Sequence, residues 1–534
     1  MFVIRLIASA LIFLGLSLWI QPVLSLGFFG FWATLLTALI PFAIPADEDE
    51  ASGRIGIAVL VAVAFVLTTW ISSAALFHAS RYEAQLGQDI PGDFTAALPP
   101  IDIRQAPLVS EDMAHRSAEK QLANEPALGS QVTLGRFQKQ LINGKLYWVA
   151  FLQHSGLSKW WNTGTTPGYV RVSATDATDV ALVTQVAGVP LRLRYLPSGY
   201  FGDDLRRHLY FHGYASRGIA DIVPEVDETG RPFYVVTFRR NTIGFSGAEA
   251  DGVAIVDPQT GAITPYAMDQ VPAWADILET PTMVEDQVAN RAEYVHGWWN
   301  PSDADKLAIT GTPDLVYGAD HRAYWYVGLT SSGADQGLVG FYLVDSRTKA
   351  AHRFVLSGAT EDIAAKAAEG VIPEKHYTAT NPLPFVVSGH PTYVFALRDE
   401  SGIARAFAMV NIQTFQTLAV GETLQATLRQ YEAALSRDPS TARIEGKVTS
   451  QTRTAAIIRI GAVIHQGSST YVLTLQGLDG KVLIANADLS DALPLARDGD
   501  TVTVSYEEGT GTGHALNLTS FSDPQVVPAD PLAK

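Results

Sequence analysis

The chain has 534 residues, a formal net charge of −16 and no cysteine. This length exceeds what one hydrophobic core usually holds, so it predicts several domains. The acidic balance disfavours a nucleic-acid partner, because binding to phosphates needs clustered Lys and Arg. The lack of cysteine excludes disulfides, thiolate nucleophiles and Cys-ligated zinc.

Long uncharged stretches dominate the first 80 residues, and no charged side chain occurs over residues 6–46 or 55–77. A helix needs about 20 apolar residues to cross the hydrocarbon core of a bilayer. The sequence therefore predicts three N-terminal transmembrane helices, at about residues 3–24, 26–45 and 55–77. Two alternatives stay open: a cleaved signal peptide at the N-terminus, and a re-entrant hairpin formed by the first two segments.

The sparse basic residues near these segments indicate an orientation. Arg5 precedes the first segment and Arg54 precedes the third. The positive-inside rule places both residues in the cytoplasm. We therefore expect a multi-pass protein of the cell membrane, with a cytoplasmic N-terminus and a large extracytoplasmic C-terminal region.

Residues 81–112 contain four prolines and a weak apolar pattern. Proline blocks regular helix, so this stretch predicts an extended linker that spaces the ectodomain from the bilayer.

Beyond the linker one pattern recurs: a helix-like segment, a polar turn, an aromatic strand and a second strand. Aromatic and β-branched residues suit a half-buried sheet, and polar turn residues close hairpins. We expect an α+β protein with tandem modules, each a helix plus an antiparallel hairpin. The predicted modules cover residues 113–200, 201–280, 281–358 and 359–437, with helices at 117–124, 203–214, 283–296, 360–369 and 422–437.

A turn of one type ends the second strand in three of these modules. Asp257, Asp345 and Asn411 stand at the first turn position. A carboxylate or amide oxygen there can accept a hydrogen bond from the backbone two residues on.

The helix and hairpin that end in Asp257-Pro258-Gln259-Thr260-Gly261 resemble the PepSY family, whose strands end in a similar Asp-x-x-Thr-Gly turn. Lys349 replaces the glycine in the third module, and the first module has Ala174-Thr175-Asp176 instead. The resemblance implies a regulator that restrains an extracytoplasmic peptidase. The stretches 201–214 and 297–302 are also similar to a family of uncharacterised bacterial membrane proteins, which implies no activity.

The C-terminal region reads as a separate domain over residues 438–525. Short strands are predicted at 444–449, 455–464, 471–475, 482–485 and 501–506. This pattern is similar to an OB-type β-barrel. The region is short of the basic and aromatic faces that single-stranded nucleic acids need, which favours a structural or protein-binding barrel. Residues 526–534 are predicted to be a disordered tail.

Two groups of residues are candidates for a site. His208 and His212 lie four residues apart, which places them on one face of a helix, as zinc ligands require. Residues 209–211 are Leu, Tyr and Phe, so the His-Glu-x-x-His motif is absent. We expect no metal and no cofactor, and a metal-dependent hydrolase that uses both histidines is an alternative.

The second group is two tryptophan pairs near predicted module junctions, Trp160-Trp161 and Trp298-Trp299. Large aromatic side chains often fill cores, so we expect packing between modules. The alternative is a surface that binds a partner.

No catalytic constellation is recognisable in the sequence. We therefore expect a non-enzymatic, membrane-anchored scaffold or partner-binding protein of a bacterial envelope assembly. Its expected partners are the lipid bilayer and other membrane or envelope proteins, and not nucleic acid. Small residues in the first two apolar segments, such as Gly15 and Gly30, favour contacts between helices and hence a homo-oligomer.

Overall fold

The computed structural model describes residues 2–44, 48–92, 107–318, 320–333, 337–437, 449–465, 468–478, 481–486, 489–490, 492–508 and 515–522. The chain divides into two compact units, Met1–Ala442 and Arg443–Lys534. The N-terminal unit belongs to the mixed α+β class with antiparallel sheets that the sequence predicts, and the described part of the C-terminal unit is a β-barrel.

Helices α1 (Phe2–Ile20) and α4 (Glu48–Ser73) are, within the described residues, the two that are long and apolar enough to cross a membrane. Between them lie α2 (Phe29–Ala38) and α3 (Ile40–Ala43), of 10 and 4 residues. The prediction of three transmembrane helices is therefore wrong at its second segment. Pro41 falls in the first turn of α3, where it cannot donate a backbone hydrogen bond and the apolar helix is interrupted.

Four smaller helix-and-sheet units follow these helices within the N-terminal compact unit, Met1–Ala442. In the first, α6 (Glu111–Ala123) and α7 (Pro126–Gly129) precede β2 (Val132–Ile142), β3 (Lys145–His154), β4 (Tyr169–Ser173) and β5 (Val180–Val183), with α8 (Leu157–Thr163) between β3 and β4. A small hairpin of β6 (Gln185–Val186) and β7 (Val189–Pro190) leads to the second unit. There, α9 (Leu205–Leu209) and a π-helical turn (Tyr210–Tyr214) precede β8 (Gly218–Val226), β9 (Pro232–Ile243), β10 (Ser246–Val256) and β11 (Ile263–Tyr266).

The third unit consists of α10 (Pro281–Glu293), β12 (Leu307–Ile309), β13 (Asp314–Tyr317), β14 (Ala323–Ser331), β15 (Leu338–Asp345) and β16 (Ala351–Gly358). The fourth consists of α11 (Glu361–Glu369), β17 (Thr378–Ala379), β18 (Leu383–Val387), β19 (His390–Arg398), β20 (Ala404–Asn411), β21 (Leu418–Gly421) and α12 (Leu424–Arg437). Successive strands pair antiparallel within each sheet, apart from β12 and β13, which both pair with β14, and β17 and β18, which both pair with β19.

The sheets share hydrophobic cores in pairs. Phe151 and Tyr234, from the first and second sheets, lie in one cluster with ring centroids 5.1 Å apart. Tyr326 and Tyr393, from the third and fourth sheets, lie in another, and their hydroxyls are 3.0 Å apart. Because many strands are covered on both faces, their apolar residues run nearly continuously instead of alternating.

In its described parts, the predicted extended linker at residues 81–112 is helical at both ends, over 81–84 and 111–112, and non-helical at 87–92 and 107–110. Helix α5 (Ala75–Ala84) continues directly after α4. Strand β1 (Ile90–Pro91) then pairs in parallel with β16. Helix α6 begins at Glu111, where the Ser110 hydroxyl accepts a hydrogen bond from the Met113 amide (3.4 Å). The remaining linker positions, 93–106, lie outside the described residues.

The predicted turns are confirmed. The Oδ1 atoms of Asp257, Asp345 and Asn411 accept hydrogen bonds from the amide two residues on, at 2.8, 2.9 and 2.9 Å. Gly261 has φ 76° and Lys349 has φ 62°. The lysine thus adopts the left-handed conformation that the glycine adopts more readily.

Five strands form the C-terminal unit: β22 (Thr449–His465), β23 (Ser468–Leu475), β24 (Val482–Asn486), β25 (Thr501–Glu508) and β26 (Ala515–Ser522). They pair in the closed order β22-β23-β24-β26-β25, and β25 pairs back with β22. The predicted strand at 455–464 lies within β22, which begins at Thr449, and the remainder of the predicted strand at 444–449 lies outside the described residues. Strand β26 was not predicted, and the predicted tail at 526–534 lies outside the described residues.

Candidate functional site

A cleft of about 420 Å³ opens between the first, third and fourth units. Its walls come from the segment before α6, from β2, β3 and β13, and from the chain around β17 and the end of β19. Five side chains give it its chemistry: Glu111, Lys139, Trp148, Asp314 and Arg398. We call this feature the Lys139 cleft.

Lys139 lies on β2 and is 8% exposed. Among the residues that the structure describes, its ammonium makes one hydrogen bond, to the Leu315 carbonyl (3.2 Å). The nitrogen also lies 5.1 Å from the centroid of the Trp148 ring. An ammonium has three N–H donors, so two of them have no acceptor among the described residues. Burial lowers the pKa of Lys139, and the carboxylates of Asp314 and Glu111 oppose that shift.

Two acidic groups near the lysine have altered pKa values. Burial raises the pKa of Asp314, and a hydrogen bond from Asn381 Nδ2 (3.3 Å) opposes the shift. Burial also raises the pKa of Glu111, against the attraction of Arg136. Both carboxyl groups line the cleft with Lys139 and act electrostatically on its pKa.

Hydrogen bonds to neighbouring residues hold Arg398 and Trp148, which also line the cleft. Arg398 Nη1 donates to Asp112 Oδ2 (2.6 Å), which joins β19 to the first turn of α6. Trp148 Nε1 donates to the Val109 carbonyl (2.7 Å), which fixes the indole as a flat apolar wall. The cleft therefore combines a cation with two donors unused by the described residues, two carboxyl groups and an aromatic face. Such a set suits binding of a polar group with acceptor oxygens next to an apolar part.

A second buried polar cluster lies nearby and is built differently. Glu225 is 0% exposed, and its oxygens accept from the amides of Asp276 (3.0 Å) and Ile277 (3.4 Å). Asp276 Oδ2 in turn accepts from the Leu141 amide (3.3 Å) and the Tyr317 hydroxyl (3.1 Å). Burial raises the pKa of Glu225 well above its ordinary value, and raises that of Asp276 to about 6. We call this group the Glu225 network.

The two candidate histidines lie together but face backbone groups. His208 Nε2 lies 2.8 Å from the Gly261 carbonyl, and His212 Nδ1 lies 2.7 Å from the His208 carbonyl. Their ring centroids are 4.1 Å apart, and burial lowers the pKa of His208. Within the described ranges no group of three or more His, Asp or Glu side chains could hold a metal ion.

The tryptophan pairs do not fill a core between modules, so the packing prediction is wrong for three of the four residues. Trp161, Trp298 and Trp299 are 71%, 46% and 73% exposed. Trp160 is half-buried and donates to Asp203 Oδ2 (3.2 Å). Neither pair lines the Lys139 cleft.

The sequence reasoning missed Lys139, Glu111, Trp148, Asp314 and Arg398. They come from five elements of the first, third and fourth helix-and-sheet units, α6, β2, β3, β13 and β19, so no local spacing joins all of them. One signal was available. Gln138, Lys139 and Gln140 stand between apolar Phe137 and Leu141 in β2. All three are buried, which is unusual for such residues unless they have partners.

Comparison with known proteins adds no family to this description: no protein-family model and no curated protein matches the chain.

Proposed function

We propose that this protein is a membrane-anchored, extracytoplasmic binding protein whose Lys139 cleft takes up a carboxylate-bearing segment of an envelope partner. The observation that carries the proposal is the buried ammonium of Lys139 with donors that the described protein leaves unused. A buried charge is costly unless it is paired, so an occupant that supplies acceptor oxygens gains from this arrangement.

The anchor is supported by the exposure of its apolar helices. In α4 the window Gly56–Ser73 has a mean hydropathy of 2.1 and is 0% buried within the protein. Leu60 and Trp70 are 67% and 64% exposed. A surface as apolar as this is stable in lipid and costly in water. Arg5 Nη2 at the start of α1 donates to the Ile44 carbonyl after α3 (2.8 Å), so α2 and α3 return the chain to the level of Arg5 and both long helices run in the same direction. With Arg5 on the cytoplasmic side, this favours a cytoplasmic N-terminus and an extracytoplasmic second unit.

The anchor and the second helix-and-sheet unit are directly joined, which supports placing that unit at the membrane surface. Arg207 Nη1 donates to the Leu18 carbonyl near the end of α1 (3.1 Å). The Phe245 amide donates to Ser73 Oγ at the end of α4 (2.9 Å). Asn241 Nδ2 donates to the Gly27 carbonyl before α2 (2.8 Å). Both long helices therefore end against the same unit.

A carboxylate is the favoured occupant because it offers two acceptor oxygens to a cation with two donors that the described residues leave unused. The Trp148 face supplies apolar contact beside it. The volume of about 420 Å³ lies within the range of about 300–1,000 Å³ that is usual for ligand pockets. A short chain segment with an acidic side chain or a free C-terminus would fit this space.

The C-terminal unit is a further element of the proposal. Its strand order, with antiparallel neighbours and one parallel pair between β24 and β26, supports the OB-type barrel expected from the sequence. We assign it a structural or protein-binding role.

Restraint of a peptidase, as the PepSY resemblance implies, is a second candidate. The repeated helix-and-sheet unit with its Asp or Asn turn favours it. An extracytoplasmic peptidase that co-purifies with the protein and gains activity when the protein is deleted would support this candidate, and unchanged peptidase activity would remove it.

Photocrosslinking in native membranes tests the binding function. A photoreactive amino acid at Asn381, which lines the cleft, should give a discrete crosslinked protein. The same group at Val355, which is 84% exposed on β16 and outside the cleft, is the matched control. The product at 381 should disappear when Lys139→Met is added. A product that persists in this variant, or none at all, contradicts the proposal.

A further inference from the structure

Helix α8 carries an apolar surface that the described protein does not cover. None of its residues is buried, and Leu157 and Trp161 are 49% and 71% exposed. Phe201 and Phe211, at the two ends of the α9 region, are 65% and 51% exposed. We call these four residues the aromatic surface. A short helix with one apolar face and no protein cover is typical of a segment that lies in a membrane interface.

Hydrogen bonds connect α8 to α9. Trp160 Nε1 donates to Asp203 Oδ2 (3.2 Å), and the Trp160 ring centroid lies 5.8 Å from that of Phe201. Asp204, the next residue, caps α9 by accepting from the Arg207 amide (2.7 Å). The aromatic residues of α8 and the start of α9 therefore form one connected structure.

The same structure is joined to the anchor. Arg207 donates to the Leu18 carbonyl (3.1 Å), and the Leu24 amide donates to the Ala215 carbonyl (2.7 Å). Tyr210 lies beside Ser17, one turn inside α1. The π-helical turn that contains Phe211 is thus held at the level where α1 ends.

The charges of this region differ from those of the whole chain. The protein carries a net charge of −16, but the helices that carry the aromatic surface also contain cations, Lys159 on α8 and Arg206 on α9. The neighbouring acids are engaged, since Asp203 accepts from Arg194 Nε (2.8 Å) and Asp204 caps the helix. Aromatic residues with adjacent Lys or Arg are the composition that favours the headgroup layer of a bilayer.

We infer that the aromatic surface inserts into the outer interfacial layer of the bilayer that holds α1 and α4, with Lys159 and Arg206 at the lipid phosphates. This inference rests on the proposed membrane anchor. It gives the second unit a fixed orientation on the membrane, because contacts at the helix ends and at the aromatic surface together prevent tilting.

The absence of cysteine from the natural chain allows single nitroxide labels without background substitutions. The full chain would be placed in nanodiscs of phosphatidylethanolamine and phosphatidylglycerol, with one label per variant: Trp161→Cys, Phe211→Cys, Val63→Cys or Val355→Cys. Val63 lies within α4 and reports on the anchor, and Val355 on β16 is the water-exposed control. The readout is the relaxation of each label by oxygen, which concentrates in lipid, relative to a water-soluble nickel complex.

We expect the oxygen-to-nickel ratio at 161 and 211 to be severalfold higher than at 355 and to approach the value at 63. A high ratio at 63 with values at 161 and 211 equal to that at 355 would overturn this inference and leave the anchor standing. A low ratio at 63 as well would overturn the anchor, and the inference with it.

Discussion

The Glu225 network and the Lys139 cleft are two buried polar regions of the N-terminal compact unit, and they differ in how their buried charged groups are hydrogen-bonded. Glu225 and Asp276 receive hydrogen bonds from protein amides and from Tyr317. The Lys139 ammonium donates one hydrogen bond among the described residues, to the Leu315 carbonyl. Buried charge alone therefore does not mark a binding site. Donors that face a cleft without an acceptor do mark a binding site, because leaving them without a hydrogen bond costs free energy until a ligand binds.

The largest expected effect is a loss of folding stability when the Glu225 carboxylate is removed. Glu225→Ala should lower the free energy of unfolding by about 3 kcal/mol, because two backbone amides lose their acceptor in the interior. Urea unfolding of the full chain in detergent micelles, followed by tryptophan fluorescence, measures this. Glu228→Ala, in the exposed turn that follows β8, is the control and should change the value by less than about 0.5 kcal/mol. Equal effects of both variants would contradict a structural role for the network.

The second prediction concerns pH and a third buried carboxyl. Glu279 is 5% exposed, and its Oε2 has no hydrogen-bond partner in the described parts of the protein. Burial raises the pKa of Glu279 to about 7, against about 4.3 in an unfolded chain. The folded state then binds more protons than the unfolded state between these values. The stabilisation that comes from proton binding to Glu279 is fully present below about pH 4.3 and is lost as the pH rises to about 7.

Glu279→Gln should remove this pH dependence. Between pH 4.5 and 7 we expect the unfolding free energy of the natural chain to fall by about 2 kcal/mol more than that of the variant. Urea titrations of both proteins at several pH values measure the difference. Parallel curves across this range would show that Glu279 titrates normally in the folded protein.

The smallest expected effect is a gain. Lys139→Met should raise the free energy of unfolding by about 1 kcal/mol, because the variant no longer buries an incompletely paired ammonium. Lys145→Met, at the exposed first residue of β3, is the matched control. Thermal unfolding of both variants in micelles compares them. A clear loss of stability at 139 would place the lysine with the Glu225 network as a structural group.

Much of the secondary structure could be predicted from local patterns. The turns at Asp257 and Asp345 follow from the ability of a carboxylate to accept from its own backbone, and their hydrogen bonds are present. Helix α6 begins at Glu111, six residues before the predicted start at 117, because the Ser110 hydroxyl caps it there. The second apolar segment has enough apolar residues for a span, but the chain breaks its helix before Pro41.

The site could not be predicted in the same way. Lys139, Asp314 and Arg398 come together through packing of the first, third and fourth units, and no spacing in the sequence encodes that arrangement. The exposure of Trp161 and Trp299 also depends on tertiary context, since the same residues in a strand facing a neighbouring sheet would be core. Local chemistry predicts caps and turns, whereas the cleft depends on how whole sheets meet.

Titration of the Lys139 side chain tests the central claim most directly. Its ¹³Cε signal in the lysine-labelled full chain, assigned by its loss in Lys139→Met, would be followed against pH with and without a dipeptide that has a free carboxylate. We expect a pKa below the ordinary value of about 10.4, which rises when the dipeptide is added because a carboxylate then pairs with the ammonium. An ordinary pKa that does not respond to the dipeptide would contradict the account.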